Sequence, residues 1–265
     1  MKRDICLIKE LPRFDNSRAN ELLDVQKEIK ANIEGHRKNI MMYMELLDFK
    51  HGMKILDVGC GLGLMPMELA NQGAECIGLE TVKEYASLLT SCGRYFKINS
   101  WGICGDACYL PFKDESFDAV MSKSFFEHVF DVDLALSEQV RVLKKGGRLI
   151  IMDGNFLCPK TLFDLLIRYP IRTKGKYGGI KWLLTKNEVR ELYDGMFIGR
   201  DEDVKTVFWW KRRLRQLKNL KVLSVTTTYA YKNPDSILTR FFEPFLGAIL
   251  AVAVKKSNLK EGTES

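Results

Sequence analysis

The sequence predicts an α/β protein in which helices cover both faces of a doubly wound, mostly parallel sheet of seven strands. Short apolar runs alternate with helix-length amphipathic segments over residues 53–153. Several of these runs are apolar throughout, as are strands that are buried on both faces. A glycine-rich turn also joins the first predicted strand to the helix after it. We expect residues 1–265 to form a single domain.

Helices are expected before the first strand. Between Asn16 and Leu47, aliphatic side chains recur at helical spacing among charged residues. Gly35 is expected to divide this stretch into two helices. We therefore assign residues 1–52 to N-terminal helices.

The central segment, residues 53–153, alternates between strand and helix. Its helices are expected to end near Gly73, Gly93 and Gly146, because glycine commonly follows the last helical residue. The five predicted strands are 54–58, 74–80, 101–104, 117–122 and 148–153.

The pattern loosens after Asp153 and returns near the C-terminus. Residues 154–220 are interpreted as an insertion after the fifth strand. Two further strands are expected at 221–231 and 248–256, where β-branched or small apolar residues predominate. The tail, residues 257–265, is expected to be disordered.

Composition and charge exclude several classes to which the protein could belong. The sequence begins without the basic and then apolar run of a signal peptide, and its longest apolar stretch is about half the roughly 20 residues of a membrane span. An odd number of cysteines without CxxC spacing favours reduced thiols and a cytoplasmic location, although Cys104 and Cys108 could belong to a metal cluster. No metal site is predicted.

Positive charge is concentrated in the insertion. From Arg168 to Lys221 there are 15 Lys and Arg against six Asp and Glu. The same segment contains aromatic residues: Tyr169, Tyr177, Trp182, Trp209 and Trp210. This combination suits an anionic lipid, a phosphorylated metabolite or a nucleic acid, and it equally suits a solvated helix face.

The segment DVGCGLG, Asp57 to Gly63, is the most informative motif. It follows an apolar strand and precedes a helix, so that glycines without Cβ atoms and free helix amides would face a polar ligand. A dinucleotide fingerprint requires G-x-G-x-x-G, and here the third glycine falls one residue early. A tight structural turn is the alternative interpretation.

Glu80 ends the second predicted strand. In a doubly wound sheet, a carboxylate at this position lies beside the ribose of a bound nucleoside and can accept hydrogen bonds from both hydroxyls. An acidic residue after a strand can also serve as a helix N-cap.

Four motifs in order resemble those of class I S-adenosylmethionine-dependent methyltransferases. They are ILDVGCGLG, GLE, GDACYLPFKDESFDAVMSKSFFEHV and LKKGGRLII, within residues 53–153. The resemblance implies the Rossmann-like methyltransferase fold and S-adenosylmethionine as cofactor.

The resemblance also assigns roles to individual residues. The loop formed by Gly59, Cys60, Gly61, Leu62 and Gly63 would hold the methionine and ribose parts of the cofactor. Asp57 would orient the loop or the cofactor's amine, and Glu80 would bind the ribose hydroxyls. Further cofactor contacts are implied at Thr81, Asp106, Ala107, Leu110, Ser122 and Phe125.

Within this set the contacts differ in kind. Asp106 would accept a hydrogen bond from the adenine amine, and Ala107 would offer its backbone amide. Leu62, Thr81 and Leu110 would line the cofactor, with core packing as the alternative. Ser122 and Phe125 correspond to the edge where the methyl group meets its acceptor.

Methyl transfer to a hydroxyl or thiol needs a group that takes up a proton, and His128 is the candidate base because imidazole titrates near neutrality. We expect a small-molecule or lipid-like acceptor, which could be anionic. An RNA or protein methyltransferase and a non-catalytic S-adenosylmethionine-binding protein are the alternatives. Nucleic acid is the less favoured partner because no RNA-binding module is recognisable. The sequence does not predict the oligomeric state.

Overall fold

The computed structural model describes residues 18–129, 131–155, 157–159, 163, 166–167, 171, 191–193, 196–198 and 205–256. The expectations for the tail, for most of the insertion, and for Tyr169, Tyr177 and Trp182 lie outside these residues. Contacts along the chain divide it into two compact units. The first comprises residues 1–123, 133–150 and 253–265, and the second comprises residues 124–132 and 151–252.

Seven strands form one sheet, as the sequence predicts. They are β1 (Lys54–Val58), β2 (Glu75–Glu80), β3 (Ser100–Cys104), β4 (Phe117–Lys123), β5 (Leu143–Asp153), β8 (Leu220–Thr227) and β9 (Ile249–Lys255). Their order is β3-β2-β1-β4-β5-β9-β8. The pairs β1–β2, β1–β4 and β2–β3 are parallel, so the predicted α/β fold class is confirmed.

The strand order reverses beside β1, which lies between β2 and β4. In open α/β sheets, ligands bind outside the carboxyl ends of the strands at such a reversal. The order therefore directs attention to the residues that follow β1, β2 and β3, which lie within the first unit, and to those that follow β4, which begin the second unit.

The first unit contains five helices: α1 (Ala19–Ala31), α2 (Ile33–Leu47), α3 (Leu64–Asn71), α4 (Lys83–Phe96) and α5 (Val132–Val142). The Tyr85 hydroxyl of α4 donates a 2.7 Å hydrogen bond to Glu21 of α1. His36 of α2 lies 3.3 Å from the fully buried carboxylate of Glu68 in α3. These contacts hold α1 against α4 and α2 against α3.

Three glycines do not end helices where the sequence suggests. Gly146 lies within β5, because α5 already ends at Val142 and the strand begins at Leu143. The first helix breaks at Asn32, whose side chain accepts a hydrogen bond from the amide of Gly35 and so caps α2. Gly93 lies inside α4, at a position where a Cβ atom would meet the carbonyl oxygen of Ser100 at 1.9 Å. Close approach of α4 to β3 explains this glycine, and α4 ends at Lys97 with a left-handed φ of 53°.

The second unit contains the later elements. They are a short antiparallel pair, β6 (Glu191–Tyr193) and β7 (Met196–Ile198), followed by α6 (Val207–Gln216), α7 (Thr228–Lys232), α8 (Ile237–Phe242) and a 3₁₀ turn (Glu243–Phe245). Helix α6 buries Val207, Trp210 and Leu214, which recur at helical spacing. The strand expected at 221–231 ends at Thr227, because Thr227 caps α7 by accepting a hydrogen bond from Ala230.

Within the described ranges, no helix is both long enough and apolar enough to cross a lipid bilayer.

Candidate active site

The glycine-rich loop after β1 is held against the end of β2. The amides of Gly59 and Cys60 donate to the carbonyl oxygen of Leu79, at 2.8 and 3.1 Å. Gly59, Gly61 and Gly63 all have left-handed backbone conformations, with φ of 73°, 51° and 72°. Such angles favour glycine, so the loop needs this residue type to keep its shape.

The glycines differ in what surrounds them. A Cβ atom at Gly63 would lie 2.6 Å from Leu89 of α4, so Gly63 allows close packing of the loop on that helix. A Cβ atom at Gly61 would meet nothing within 4 Å. Space is therefore open beside Gly61, where the resemblance places the cofactor.

Cys60 points away from that space. Its Sγ atom would lie 2.5 Å from a Cβ atom at Gly78, so the thiol packs on β2. Burial raises the pKa of this thiol well above its ordinary value, as do the nearby charges of Asp57 and Glu80. Cys60 therefore offers backbone, rather than a reactive side chain, to a ligand.

Glu80 links the loop to the start of α4. Its Oε2 accepts a 2.9 Å hydrogen bond from the amide of Gly61, and its Oε1 accepts from the amide and hydroxyl of Thr81 at 2.8 and 3.1 Å. The carboxylate thus fixes local structure: Oε1 already accepts from three donors, whereas Oε2 accepts from one and keeps a lone pair for a ligand. A structural role and a ribose-binding role are compatible.

Asp57 is a buried carboxyl group on β1, the strand at which the sheet order reverses. Only 5% of the residue is exposed, and Oδ1 has no hydrogen-bond partner among the described residues. Burial raises the pKa of Asp57 to about 7; Lys123 opposes this shift and Glu80 adds to it. Tyr43 of α2 is also buried near this charge, which contributes to raising the pKa of its phenol.

The turn after β3 carries Asp106, Ala107 and Leu110. One oxygen of Asp106 accepts a 2.8 Å hydrogen bond from the amide of Cys108, which shapes the turn. Ala107 and Leu110 are buried. Leu110 donates its amide to Glu138 at 2.9 Å and accepts at its carbonyl from Arg141 at 3.0 Å.

Arg141 and Glu138 of α5 hold this turn in place. Arg141 binds Glu138 through Nε at 2.6 Å and through Nη2 at 2.8 Å, and its Nη1 donates to Phe112 and Asp114. These hydrogen bonds keep the pKa of Glu138 below its ordinary value, while burial opposes them. The geometry makes Arg141 a positioning residue for the predicted adenine contacts.

The predicted site residues fall in two groups. Ser122 is the last of the predicted cofactor-binding residues that lie in the first unit. Its hydroxyl is buried and has no partner within the described part of the chain. Phe125 and His128 belong to the second unit. His128 donates its amide to the carbonyl of Phe125 at 2.9 Å, and its Nε2 lies 3.6 Å from Glu127.

The residues of the first unit fit S-adenosylmethionine. Asp57 presents an unsatisfied buried oxygen to a cation, and Gly61 leaves open space beside the loop amides. Glu80 adds carboxylate oxygens suited to ribose hydroxyls. When bound, the cofactor would supply an electrophilic methyl group, while Asp57, Glu80 and Asp106 would hold its polar parts.

Sequence reasoning missed three groups near these residues: Tyr43, Lys123 and the Glu138–Arg141 pair. Tyr43 and Lys123 approach Asp57 only in the folded chain. Glu138 and Arg141 stand at i, i+3 spacing on a predicted helix, which is the one signal that could have indicated their pairing.

The comparisons with known proteins agree with this geometry. Residues 56–151 match the family model of a methyltransferase domain. Demethylmenaquinone methyltransferase of Corynebacterium efficiens is 34% identical over 109 residues, which cover 41% of this chain and 45% of that protein. Methyltransferase GfsG of Streptomyces halstedii is 34% identical over 127 residues, covering 45% and 44%. The chain thus spans less than half the length of these curated relatives.

A solved structure shares the fold. A SAM-dependent methyltransferase from Aquifex aeolicus superposes with a TM-score of 0.52 at 15% identity, covering 82% of this chain and 89% of that chain. The family model covers the segment that carries the glycine loop, Glu80 and the turn after β3. Residues 56–151 thus match a methyltransferase domain, and the fold is the one seen in an S-adenosylmethionine-dependent methyltransferase.

Proposed function

We propose that the protein transfers a methyl group from S-adenosylmethionine to a lipid-like small molecule. The observation that carries the proposal is the set formed by Asp57, Gly61 and Glu80. It combines a buried carboxyl oxygen without a partner, open space beside a glycine loop, and a second carboxylate bonded to that loop. This set suits a ligand that carries both an ammonium group and a ribose.

The chain's own part in the reaction is to bind and position. Methyl transfer is an in-line displacement, so holding the acceptor near the methyl carbon accounts for much of the rate. Asp57 becomes ionised when it pairs with the cofactor's ammonium group, because a nearby opposite charge favours the carboxylate. Glu80 and Arg141 keep the two flanking loops in a fixed conformation.

Two observations favour a lipid-like acceptor. The relatives include demethylmenaquinone methyltransferases, which are named for a lipid-like quinone. The second unit also exposes large apolar side chains: Phe208, Leu223, Ile237, Leu238, Phe242 and Phe245. Exposed apolar groups of this kind are typical of surfaces that meet lipids or apolar ligands.

Electron-rich acceptors fit the chemistry of a sulfonium donor. A quinone ring is electron-poor, whereas its hydroquinone form is a nucleophile. We therefore expect methyl transfer to the hydroquinone of demethylmenaquinone, and we expect none to the oxidised form.

The test uses the purified full chain with methyl-labelled S-adenosylmethionine and three acceptor samples: reduced demethylmenaquinone, RNA, and a cell extract fractionated into lipid and protein. Label in the quinone or in the lipid fraction supports the proposal. Label in RNA or protein instead contradicts the assigned acceptor class. Cofactor binding by calorimetry without label in any fraction would establish a binding protein rather than an enzyme.

A further inference from the structure

The segment that follows β8 and α7 carries large apolar side chains that face solvent. Helix α8 and the 3₁₀ turn after it expose an apolar group formed by Ile237, Leu238, Phe242 and Phe245. Leu238 and Phe242 stand four positions apart in α8, so they share one face of that helix. A single exposed apolar side chain is ordinary, whereas several on one short segment are typical of a surface that meets a partner.

Hydrogen bonds hold this segment in place within the second unit. The hydroxyl of Thr226, in β8, donates to the carboxylate of Glu243 at 2.8 Å. The side-chain amide of the buried Asn155 donates to the carbonyl oxygen of Pro244 at 2.9 Å. The exposure of the apolar group is therefore a property of the folded arrangement, because the turn that carries it is bonded to the sheet.

Helix α6 brings a further aromatic side chain toward the same end of β8. Only residues 217–219 join α6 to β8, and the two elements pack against each other. They therefore run in opposite directions, so that the first turn of α6 lies toward the end of β8. Phe208 belongs to that first turn and is exposed, and the chain continues from that end of β8 into α7 and α8.

Positive charge follows Phe208 along the same face of α6. Phe208, Arg212 and Arg215 are exposed and stand at positions i, i+4 and i+7, so they line one face of the helix. The face that carries Trp210 is buried instead. Residues 205–232 contain eight Lys and Arg and no Asp or Glu. No carboxylate of that stretch offsets its charge, which favours an anionic partner.

The spacing along α6 matches the depth of a bilayer surface. A helix rises about 1.5 Å per residue, so Arg212 and Arg215 lie about 6 and 10 Å from Phe208 along the axis. The headgroup region on each side of a bilayer is roughly 5–7 Å thick. With the first turn of α6 toward the bilayer, Phe208 reaches the acyl chains while the long arginine side chains stay among the phosphates.

We propose that the apolar group and Phe208 dock the second unit on the surface of an anionic lipid bilayer, with Arg212 and Arg215 against the lipid phosphates. RNA would satisfy the arginines and leave the apolar group in water, so the combination favours a bilayer. The inference goes beyond the proposed function, because it concerns the surface on which the protein works, whichever acceptor it methylates.

The main test measures binding of the full chain to vesicles by flotation. Vesicles of phosphatidylcholine are compared with vesicles of equal parts of phosphatidylcholine and phosphatidylglycerol, each at low and high salt. We expect binding to the anionic vesicles that weakens as salt rises, because salt screens exposed charges. A single-stranded RNA is titrated in parallel under the same conditions.

A first pair of variants tests the apolar contact. Leu238→Ser with Phe242→Ser should weaken binding to anionic vesicles about 30-fold, because both changes remove apolar surface that acyl chains cover. Met41→Ser with Tyr95→Ser is the matched control, since these side chains are similarly exposed in the first unit. Leu238→Trp should strengthen binding about threefold, because tryptophan favours the membrane interface. A folding defect would not produce such a gain.

A second pair tests the charged contact. Arg212→Gln with Arg215→Gln should weaken binding to anionic vesicles about tenfold and leave binding to neutral vesicles unchanged. Lys27→Gln with Lys30→Gln removes the same charge from exposed positions of the first unit and should match the parent. All of these variants should keep the parent's thermal midpoint and its affinity for S-adenosylmethionine.

The outcomes separate this inference from the proposed function. No binding of the parent to anionic vesicles, or equal losses in a test pair and its control, would overturn the docking surface. Tighter binding of RNA than of anionic vesicles at the same salt would overturn it in favour of nucleic acid. Methyl transfer is measured separately, on reduced demethylmenaquinone dispersed in detergent. Transfer without vesicle binding therefore contradicts only the docking surface, and vesicle binding without transfer contradicts only the proposed function.

Discussion

The two units differ in how their buried acidic groups are supported. In the first unit, Glu80 is bonded to the amides of Gly61 and Thr81, and Arg141 fixes the turn after β3 through several hydrogen bonds. The first unit also contains Asp57, a buried carboxyl group with one oxygen that has no partner among the described residues, whereas the buried Asp153 of the second unit lies beside the backbone amides of Gly154 and Phe125. The first unit thus combines loops that hydrogen bonds hold in place with one unsatisfied carboxyl oxygen, which a charged ligand could satisfy.

The largest expected effect tests the open space at Gly61. A valine there would occupy that space, so we expect Gly61→Val to weaken S-adenosylmethionine binding by about 100-fold or more (on the order of 3 kcal/mol). Gly52→Val is the matched control, because Gly52 also has a positive φ, of 82°, with nothing within 4 Å of its Cβ position.

Both variants carry the same strain of a β-branched residue in a left-handed conformation. They should therefore lose similar thermal stability, and only Gly61→Val should lose calorimetric binding. If both variants bind S-adenosylmethionine with equal affinity, the ligand lies away from this loop. If Gly61→Val unfolds and Gly52→Val does not, glycine is required at position 61 for the backbone conformation.

The second prediction concerns Glu80. Removing a charged acceptor for two hydroxyls costs about 1.5–3 kcal/mol, so Glu80→Ala should weaken cofactor binding by about 10- to 150-fold. Glu80→Gln keeps one acceptor oxygen and should lose less. Unchanged affinity of Glu80→Ala by calorimetry would contradict the ribose assignment and leave Glu80 with its bonds to Gly61 and Thr81.

The third prediction uses the pKa of Asp57. With a value of about 7 in the folded protein, binding of the cofactor's ammonium group should take a proton off Asp57 below that pH. Affinity should therefore fall as pH drops through about 7, and binding should release protons into the buffer. Asp57→Asn should weaken binding about tenfold and abolish this pH dependence; a parent affinity constant from about pH 5.5 to 8 would contradict the pairing.

The same shift affects stability without the cofactor. Because the folded-state pKa of Asp57 is raised, the folded protein holds a proton that the unfolded chain releases, so its stability declines as pH rises from about 4 to 7 and stays lower above that. Asp57→Asn should stabilise the unliganded protein at pH 8 by on the order of 2 kcal/mol. Urea denaturation at pH 5 and 8 measures this difference.

A fourth prediction tests whether the cofactor site depends on its support from α5. Arg141→Ala removes the bonds to Leu110, Phe112 and Glu138 that hold the turn after β3. We expect about a fivefold loss of cofactor affinity, on the order of 1 kcal/mol. Arg148→Ala is the control, because Arg148 also donates to a backbone carbonyl, that of Leu46, outside the turn. Equal losses in the two variants would indicate a general effect on folding.

The fold was predictable where the signal is local. Alternating apolar runs indicated all seven strands of the sheet, because each strand is a short continuous segment. Errors arose where tertiary contact determines the residue type. The helix α4 continues through Gly93, and glycine is needed there because the carbonyl of Ser100 leaves no room for a Cβ atom. The strand predicted through Tyr231 stops at Thr227, whose hydroxyl caps the next helix.

The candidate site divides in the same way. Asp57 and Gly61 lie at the end of β1 and just after it, and Glu80 ends β2, so strand-end geometry could bring them together from sequence alone. Leu110 and Glu138 lie on different segments of the chain, and only the folded chain shows that the Leu110 amide donates to the Glu138 carboxylate. Roles in binding and catalysis stay predictions for every one of these residues.

The smallest expected effect concerns the basic residues of α6. The sequence leaves two interpretations of the basic segment from Arg168 to Lys221, an anionic partner or a solvated helix face, and most of that segment lies outside the described residues. Within α6, Val207, Trp210 and Leu214 are buried, so Lys211, Arg212 and Arg215 project from the remaining faces. Replacing Lys211, Arg212, Arg213 and Arg215 by glutamine should lower acceptor turnover about threefold at low salt, because exposed charges attract an anionic partner only weakly and are screened by salt.

The control replaces four exposed lysines of the first unit by glutamine: Lys27, Lys30, Lys38 and Lys50. Both variants lose the same charge, so a general effect of net charge would lower turnover equally in the two. A loss confined to the α6 variant that shrinks as salt rises, with cofactor affinity intact, would tie the basic face to the acceptor. If the α6 variant matches the parent at every ionic strength, these side chains form a solvated face.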